Sequence, residues 1–267
     1  MKDKGKFIKN LLIFVLLIIL TFYILLKDQN ILEIFNIISS IKIQYILVGI
    51  LCMAIYIILE AVNIGRTLKA LNEKSNFLSN IKYALIGFFF SAITPAASGG
   101  QPMQIYYMYK DNISISKSTL ALLLNLLSMQ ISTIGIALVS LIFNYGYLNN
   151  FLIACFVLGV FLNSTALILL LIAIFSKRMS AGLINIAIKV LRFFRIKNIE
   201  QKKEKFEYEL KQYQENAVFV RNNVRLILKT LVTTLIQFLI YYSITYWVYL
   251  SFGFTEYNIL QLISMQS

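Results

Sequence analysis

One break interrupts the apolar segment Tyr83–Lys110: Thr94-Pro95-Ala96-Ala97-Ser98-Gly99-Gly100-Gln101-Pro102-Met103-Gln104. It holds both prolines of the chain. Proline removes a backbone amide donor and ends a helix, and paired glycines loosen the backbone further. Hydrocarbon cannot satisfy free backbone N–H and C=O groups, so a broken helix at membrane depth must be buried in protein or line a wet cavity. Transporters build binding sites from such interrupted helices, which makes this stretch the first candidate for a functional site.

The composition places the chain among helical membrane proteins. Hydrophobic residues make up 59% of the 267 residues, and the mean hydropathy is +0.75. Several apolar runs exceed the roughly 18 residues that indicate a bilayer span. The chain has no histidine, which excludes Ser-His-Asp hydrolases and makes a zinc enzyme untenable. We expect no cofactor, no metal site and no directly bound nucleic acid, and Cys52 and Cys155 are predicted to be packing residues.

Hydropathy predicts an all-α, polytopic transmembrane helix bundle that forms one domain over residues 1–267. The predicted spans cover residues 7–26, 43–64, 118–143, 151–175 and 226–252. The first span follows a basic start, as a signal peptide does, but no small-residue cleavage site comes after it. We therefore interpret it as an uncleaved helix. Residues 259–267 resemble the beginning of a further span, so we expect the domain to be incomplete at the C-terminus.

Residues 83–109 are predicted to form a re-entrant hairpin. The first arm, Tyr83–Thr94, would rise only ~18 Å against a hydrocarbon core of ~30 Å, and the second arm, Met103–Tyr109, is shorter. If this segment does not cross, 23 of the 25 Lys and Arg residues lie on one side, leaving only Lys27 and Lys42 opposite. The positive-inside rule then places the N-terminus and the hairpin ends in the cytoplasm.

A basic connector is predicted for residues 177–225. Residues 179–197 carry apolar positions at helical spacing with interleaved cations, as in a helix lying in the membrane interface. In residues 200–220 an apolar stripe could pack on the preceding helix; it consists of Phe206, Leu210, Tyr213, Ala217 and Val220. Two interpretations remain open: a solvated connector, or a surface attracted to anionic lipids.

The tip of the hairpin resembles an anion-binding turn. We expect Gly99 and Gly100 to adopt positive φ and to let the backbone approach a bound group, with free amides at the start of the arm from Pro102. The alternative is a hairpin that only plugs the bundle. Gln104 and Tyr107 on the second arm are candidates for headgroup contact, although tyrosines at this depth also form interfacial belts.

Polar residues also recur along otherwise apolar spans. Two helical faces carry them: Asn125, Ser128, Ser132 and Gly135 on one, and Thr230, Thr234, Gln237, Tyr241 and Thr245 on the other. Asn163-Ser164-Thr165 lies mid-span in a third segment. These faces either hold helices together or line a wet groove. Glu60 is a functional candidate because an ionisable group inside a membrane is costly; the alternative is a salt bridge with Arg66 or another basic residue.

Ten residues are therefore the predicted substrate-binding set, with no catalytic residue: Glu60, Arg66, Pro95, Ser98, Gly99, Gly100, Gln101, Pro102, Gln104 and Tyr107.

From Thr94 to Gln104 the chain resembles the lysylphosphatidylglycerol synthase/flippase membrane-domain family, and the order of the remaining segments is similar to that family over essentially the whole chain. The resemblance implies a flippase-like protein of the bacterial inner membrane that binds or moves a phospholipid such as lysyl-phosphatidylglycerol. It also implies a contribution to surface charge and to resistance against cationic antimicrobial peptides. Relatives have a second Pro/Gly-rich motif in their last helices, which this chain does not reach.

In two-domain relatives a separate soluble domain makes the aminoacylated lipid from charged tRNA, and this chain contains no such domain. Phosphatidylglycerol lysyltransferase activity and a non-transporting membrane scaffold are the alternatives to lipid movement. The implied partners are membrane phospholipids, with a second copy of the chain or a separate synthase as further candidates.

Overall fold

The computed structural model describes residues 38–144, 150–176 and 203–266, with isolated positions at 19, 20, 23, 24, 27, 36, 182, 185, 186 and 189. The described residues form α-helices and one 3₁₀ turn and contain no strand, which confirms the all-helical fold. The predicted first span and the predicted interface helix at 179–197 lie outside the continuous described ranges. The helices are α1 Ile43–Ala70, α2 Phe77–Ile93, α3 Gly100–Lys110, α4 Ile115–Asn144, α5 Asn150–Phe175, α6 Lys203–Asn222, α7 Val224–Ser251 and α8 Ile259–Gln266.

Four of these helices, α1, α4, α5 and α7, are long and apolar enough to cross a membrane. They occupy the positions of four predicted spans. Helix α4 lies at the centre, because it packs against α1, α3, α5, α6, α7 and α8. The most extensive contact between two helices joins α1 to α7. Apolar side chains cover the outer faces of these helices, as expected of surfaces that face lipid.

The break at Pro95 produces a hairpin of two short helices. Helix α2 begins at Phe77 because the Asn76 side chain accepts the Ser79 N–H at 2.7 Å, and it ends where Thr94 takes the extended conformation that a following proline favours. Both arms are longer than predicted. The first starts at Phe77, six residues before Tyr83, because Asn76 caps it there, and the second spans Gly100–Lys110, with Pro102 in its first turn.

The two arms run antiparallel and return the chain to the end of the bundle from which it left. At the open end Lys82 forms an ion pair with Asp111, whose carboxylate also accepts the Tyr83 hydroxyl at 2.6 Å. At the closed end the Thr94 hydroxyl accepts the Gly99 N–H at 2.9 Å. Hydrogen bonds therefore fasten the hairpin at both ends.

Helix α6 belongs to the bundle. Its apolar stripe is buried at Tyr213, Ala217 and Val220, and the helix packs on α4, α5 and α7. The buried Glu209 carboxylate accepts the Ser116 N–H at 2.9 Å in the first turn of α4, where a negative charge is favourable. The apolar stripe of this part of the connector therefore packs on the bundle, while Lys211 and Glu215 on its other face are exposed.

Candidate functional site

A half-open cavity of about 230 Å³ lies between α1, the hairpin and α4. Three predicted site residues meet there, namely Glu60, Gln101 and Gln104. Tyr56 and Ser91 add hydroxyl groups to the lining. The remaining lining residues are apolar: Ile57, Ala84, Gly87, Phe88 and Met129. The cavity thus combines one carboxylate with neutral polar groups in a mainly apolar surround.

The glycines at the tip serve the hairpin itself. Neither Gly99 nor Gly100 has a positive φ, so that expectation is wrong; the left-handed conformations fall on Ala96 and Ala97. A Cβ added at Gly100 would lie 2.2 Å from the Ser91 hydroxyl oxygen and 2.9 Å from the carbonyl oxygen of Gly87. Glycine is needed at this position because the backbones of the two arms approach each other closely.

A second close approach between the arms holds the Gln104 side chain against the first arm. Its side chain is almost fully buried, and its Nε2 donates to the Tyr83 carbonyl at 3.1 Å. A Cβ at Gly87 would lie 2.5 Å from that same Nε2 atom. The absence of a side chain at Gly87 therefore makes room for the Gln104 amide, which borders the cavity while bound to the first arm.

Other predicted residues of the hairpin lie outside the cavity. Pro95 and Ser98 are exposed at the tip, and the Ser98 hydroxyl donates to the Pro95 carbonyl at 2.8 Å. Pro102 is half-buried. Tyr107 lies towards the open end of the hairpin, where the Lys110 ammonium is 5.8 Å from its ring centre. The Gly99 amide is bound to Thr94, so it is not a free donor for an anion in this arrangement.

Glu60 is the only acidic residue in the four long helices, and two amides bind it. Asn125 on α4 donates from Nδ2 to Oε1 at 2.6 Å. Gln237 on α7 donates from Nε2 to Oε2 at 3.0 Å. These partners come from the two polar faces that the sequence singled out, so both faces converge on the carboxylate.

Arg66 reaches Glu60 only through other side chains. Its guanidinium donates to the Asn63 side-chain oxygen at 2.8 Å and to the Lys229 carbonyl at 2.7 Å. The Asn63 amide donates to Thr234 at 2.9 Å and makes a longer contact of 3.5 Å with the Asn125 side-chain oxygen. The alternative of a direct Glu60–Arg66 salt bridge is therefore wrong. Six residues along a helix rotate the two side chains onto different faces.

The polar faces are not buried along their whole length. Asn125, Ser128 and Ser132 are buried on α4, and Thr230, Thr234 and Gln237 are fully buried on α7. Gly135 and Tyr241, further along the same faces, are exposed. Asn163 lies elsewhere: its side-chain oxygen accepts the Gln130 amide at 2.6 Å and joins α5 to α4. Of the three groups of polar residues, the one on α5 therefore joins two helices at a place outside the cavity.

Tyr56 and Asn63 were not among the residues predicted from the sequence. Tyr56 lines the cavity, and its ring packs against Phe88, Phe238 and Tyr241 with ring centres 6.2, 6.5 and 5.2 Å apart. Asn63 is fully buried. A signal for both was present, because Tyr56, Glu60 and Asn63 follow helical spacing on one face of an apolar span.

The chemistry available at this site is ion pairing and hydrogen bonding. Glu60 can accept from a cation or a donor, while Gln101, Gln104, Ser91 and Tyr56 can both donate and accept. Among the described residues no group of three or more His, Cys, Asp or Glu side chains could hold a metal ion. The arrangement suits a small amphipathic group with a polar head.

The chain is similar to a known protein family. The family model described as the lysylphosphatidylglycerol synthase TM region matches residues 8–263. No curated protein and no solved structure matched the chain.

Proposed function

The chain belongs to the family of the lysylphosphatidylglycerol synthase transmembrane region, and we propose that it binds a phospholipid headgroup in the Glu60 cavity and moves it across the membrane. The headgroup would pass along the groove beside the hairpin while its acyl chains stay in lipid. Lysyl-phosphatidylglycerol is the substrate that the family description favours. The ten predicted residues are proposed to act in two groups, with Glu60, Gln101 and Gln104 touching the headgroup and the others holding the hairpin and network in place.

The observation that carries this proposal is the unpaired carboxylate beside the cavity. Glu60 is hydrogen-bonded by two amides, but no cation lies directly against it among the described side chains. A carboxylate in a low-dielectric surround gains most from a partner of opposite charge. An ammonium group on a lipid headgroup would supply that charge.

The size and lining of the cavity support a headgroup as the occupant. Drug-sized ligands fill pockets of about 300–1,000 Å³, so a cavity of about 230 Å³ suits a polar head rather than a whole lipid. Exposed apolar side chains on the hairpin, including Leu85, Phe89 and Ile93, offer a surface for acyl chains.

The biological role follows from the charge of the lipid. A cationic lipid in the outer leaflet lowers the negative surface potential and weakens the attraction of cationic peptides. We accordingly propose a bacterial inner-membrane location and a role in resistance to such peptides. A separate synthase would supply the lipid, and a second copy of this chain is a further candidate partner.

Lysyl transfer to phosphatidylglycerol is the second candidate function, because the family description names a synthase. Transfer from charged tRNA requires a general acid or base beside the reacting ester, and a histidine commonly fills this role. This chain has no histidine. A scaffold without transport is the third possibility, and the experiment below separates all three.

The test uses full-length protein in vesicles that hold lysyl-phosphatidylglycerol in one leaflet, with the amine exposed in each leaflet read by an impermeant amine reagent. Wild type should speed exchange between leaflets, and Glu60→Gln should remove most of that gain. Glu256→Gln is the matched control, because it removes an exposed carboxylate outside the cavity. Equal exchange in empty vesicles would favour the scaffold, and new lysylated lipid formed from charged tRNA would favour the synthase.

The proposed orientation has its own test. Single cysteines replacing Lys74, Lys110 and Lys205, in a background without Cys52 and Cys155, should resist an impermeant thiol reagent in intact cells. The reagent should label them once the membrane is opened. Labelling of position 110 from outside would contradict the re-entrant hairpin and the cytoplasmic N-terminus.

A further inference from the structure

We propose that Glu60 is also a proton-binding site, and that a proton and the headgroup ammonium occupy it in turn, so that lipid movement is coupled to proton movement. This inference rests on the proposed function for its second half. The direction of the hydrogen bonds around Glu60 and one buried acceptor beside it support a coupling ion in the cavity.

The hydrogen bonds around Glu60 all point towards it. Arg66 donates to Asn63, the Asn63 amide lies 3.5 Å from the Asn125 oxygen, and Asn125 donates to Glu60. Gln237 donates from the other side. A chain of donors that begins at a guanidinium and ends at a carboxyl group matches the ionised form, because a carboxylate only accepts hydrogen bonds, whereas a carboxylic acid carries an O–H that must find an acceptor.

A protonated Glu60 would need one acceptor, and Gln237 provides it. The Oε1 atom of Gln237 is buried and has no hydrogen-bond partner among the described residues, while Nε2 of the same amide is bound to Glu60. Turning this amide over would present Oε1 to a carboxylic acid O–H. Asn125 is less free to turn, because Asn63 approaches its oxygen. The site therefore has a hydrogen-bonding arrangement for each protonation state.

The charged and titratable groups near Glu60 permit such a change. On α1, Tyr56 lies one turn away and Arg66 acts only through Asn63. On α7, Tyr241 and Tyr242 belong to the aromatic group around Tyr56. From α2, α3 and α4 the cavity lining that the structure describes contains no titratable side chain. No neighbouring cation thus fixes the charge of Glu60, and the half-open cavity gives a proton access to it.

The exchange step balances in charge and in protons. A proton from the acidic side adds to one Glu60 oxygen and makes a neutral acid. When a headgroup ammonium enters, the O–H bond breaks, the proton leaves through the open cavity and the carboxylate pairs with the ammonium. If the proton taken up from the acidic side is released to the opposite side, the lipid crosses in the opposite direction, towards the acidic side. For one proton per lipid, a gradient of about one pH unit corresponds to an up to about tenfold leaflet ratio.

The first measurement tests the proton site itself. At pH values above about 6, where exposed Asp and Glu side chains with ordinary pKa values near 4 are ionised, infrared spectra of the purified full-length protein should show a protonated-carboxyl band that grows as pH falls. Glu60→Gln should remove it, and the Glu256→Gln control should keep it. Lysyl-phosphatidylglycerol, compared with equal phosphatidylglycerol, should reduce the band at fixed pH. A band that persists in Glu60→Gln would overturn the proposal, and a band unchanged by the amine lipid would overturn the competition.

The second measurement tests coupling with the wild-type protein, so it does not depend on how well a variant folds. In vesicles with a gradient of about one pH unit, lysyl-phosphatidylglycerol should accumulate up to about tenfold in the leaflet facing the acidic side, and a protonophore should abolish the difference. Empty vesicles measure passive redistribution. Protein-dependent movement that ignores the gradient would overturn coupling alone. No protein-dependent movement at all would overturn the proposed function and the coupling, while the infrared band still decides whether Glu60 binds a proton.

Discussion

The hairpin and the Glu60 network are both polar interruptions of an apolar bundle, but they satisfy their polar groups in opposite ways. In the hairpin the partners are close in sequence: Thr94 binds Gly99, and Gln104 binds the Tyr83 carbonyl on the other arm. In the network they come from three helices, with Glu60 bound by residues 65 and 177 positions away. The hairpin is therefore stabilised by contacts within one segment of the chain, whereas the network forms only when α1, α4 and α7 pack together.

This difference explains which region we assign to binding. The glycines at the tip suggested that the tip binds the ligand. In the structure they instead leave the space that the close packing within the hairpin requires. Glu60 retains unmet capacity for a cation. A broken helix in a membrane can therefore support a site by shaping a cavity, while the charge proposed to bind the headgroup lies on an unbroken helix opposite.

The largest effect is expected from crowding the hairpin. Gly100→Ala should destabilise the protein by up to about 3 kcal/mol, since the new Cβ would meet the backbone oxygen of Gly87. Gly135→Ala is the matched control, because a Cβ there meets nothing within 4 Å and alanine favours a helix. Unfolding in detergent should separate the two. Equal stability would mean that the arms can move apart freely.

The next effect concerns the network. Asn125→Leu removes a donor from a carboxylate and should cost about 1.5–3 kcal/mol of unfolding free energy. Gln130 lies on the same helix as Asn125, but its hydrogen bond to Asn163 on α5 joins two neutral groups. Gln130→Leu should therefore cost nearer 0.6 kcal/mol. The same unfolding assay compares them. A larger loss for Gln130→Leu would contradict a special role for the carboxylate.

A smaller effect is expected at the link to Arg66. Asn63→Ala removes the partner of both Arg66 and Thr234 and should cost about 1 kcal/mol. Thr67→Ala, one turn away, removes a hydroxyl whose hydrogen bond among the described residues stays within its own helix, and should cost less. Lipid exchange should also fall in Asn63→Ala and stay near wild type in Thr67→Ala. Loss of exchange in both variants would indicate general damage to α1.

The smallest effect lies at the open end of the hairpin. Partial burial works to raise the pKa of Asp111, but hydrogen bonds from Lys82 and Tyr83 and the charge of Lys82 outweigh it and hold the pKa below its usual 3.8. The stabilisation is therefore present above about pH 4 and is lost as pH falls through the lowered pKa.

Because both side chains are more than a third exposed, Asp111→Asn should cost about 0.5 kcal/mol or less at neutral pH. Melting curves of wild type and variant should converge in acid. A difference that grows as pH falls would contradict the ion pair as its cause.

Much of the fold could be predicted from the sequence because its cause is local. An apolar run in hydrocarbon must become a helix to satisfy its own backbone, and Pro95 must end one. The boundary of the first arm was missed because Asn76 caps it from outside the apolar run, and that of the second because the helix begins at Gly100, before Pro102 instead of after it. The family resemblance at the break was also readable from a single stretch of chain, and it agrees with the family match.

The candidate site could be predicted only in part. Spacing showed that Asn125 and Gln237 lie on polar helix faces, and composition showed that Glu60 is the one carboxylate in a long span. Which face meets which helix was not readable, since helical periodicity gives a direction around one axis and nothing about its neighbours.

The sequence by itself determined that this protein is a bundle of membrane helices with one break and one acidic residue within a long span, because desolvation of the backbone and of a charge acts on each segment alone. The tertiary structure alone decided that the break walls a cavity, that its glycines serve packing, and that Glu60 is held by α4 and α7. Those outcomes depend on close approach between residues far apart in the chain, and only packing of the whole bundle sets such distances.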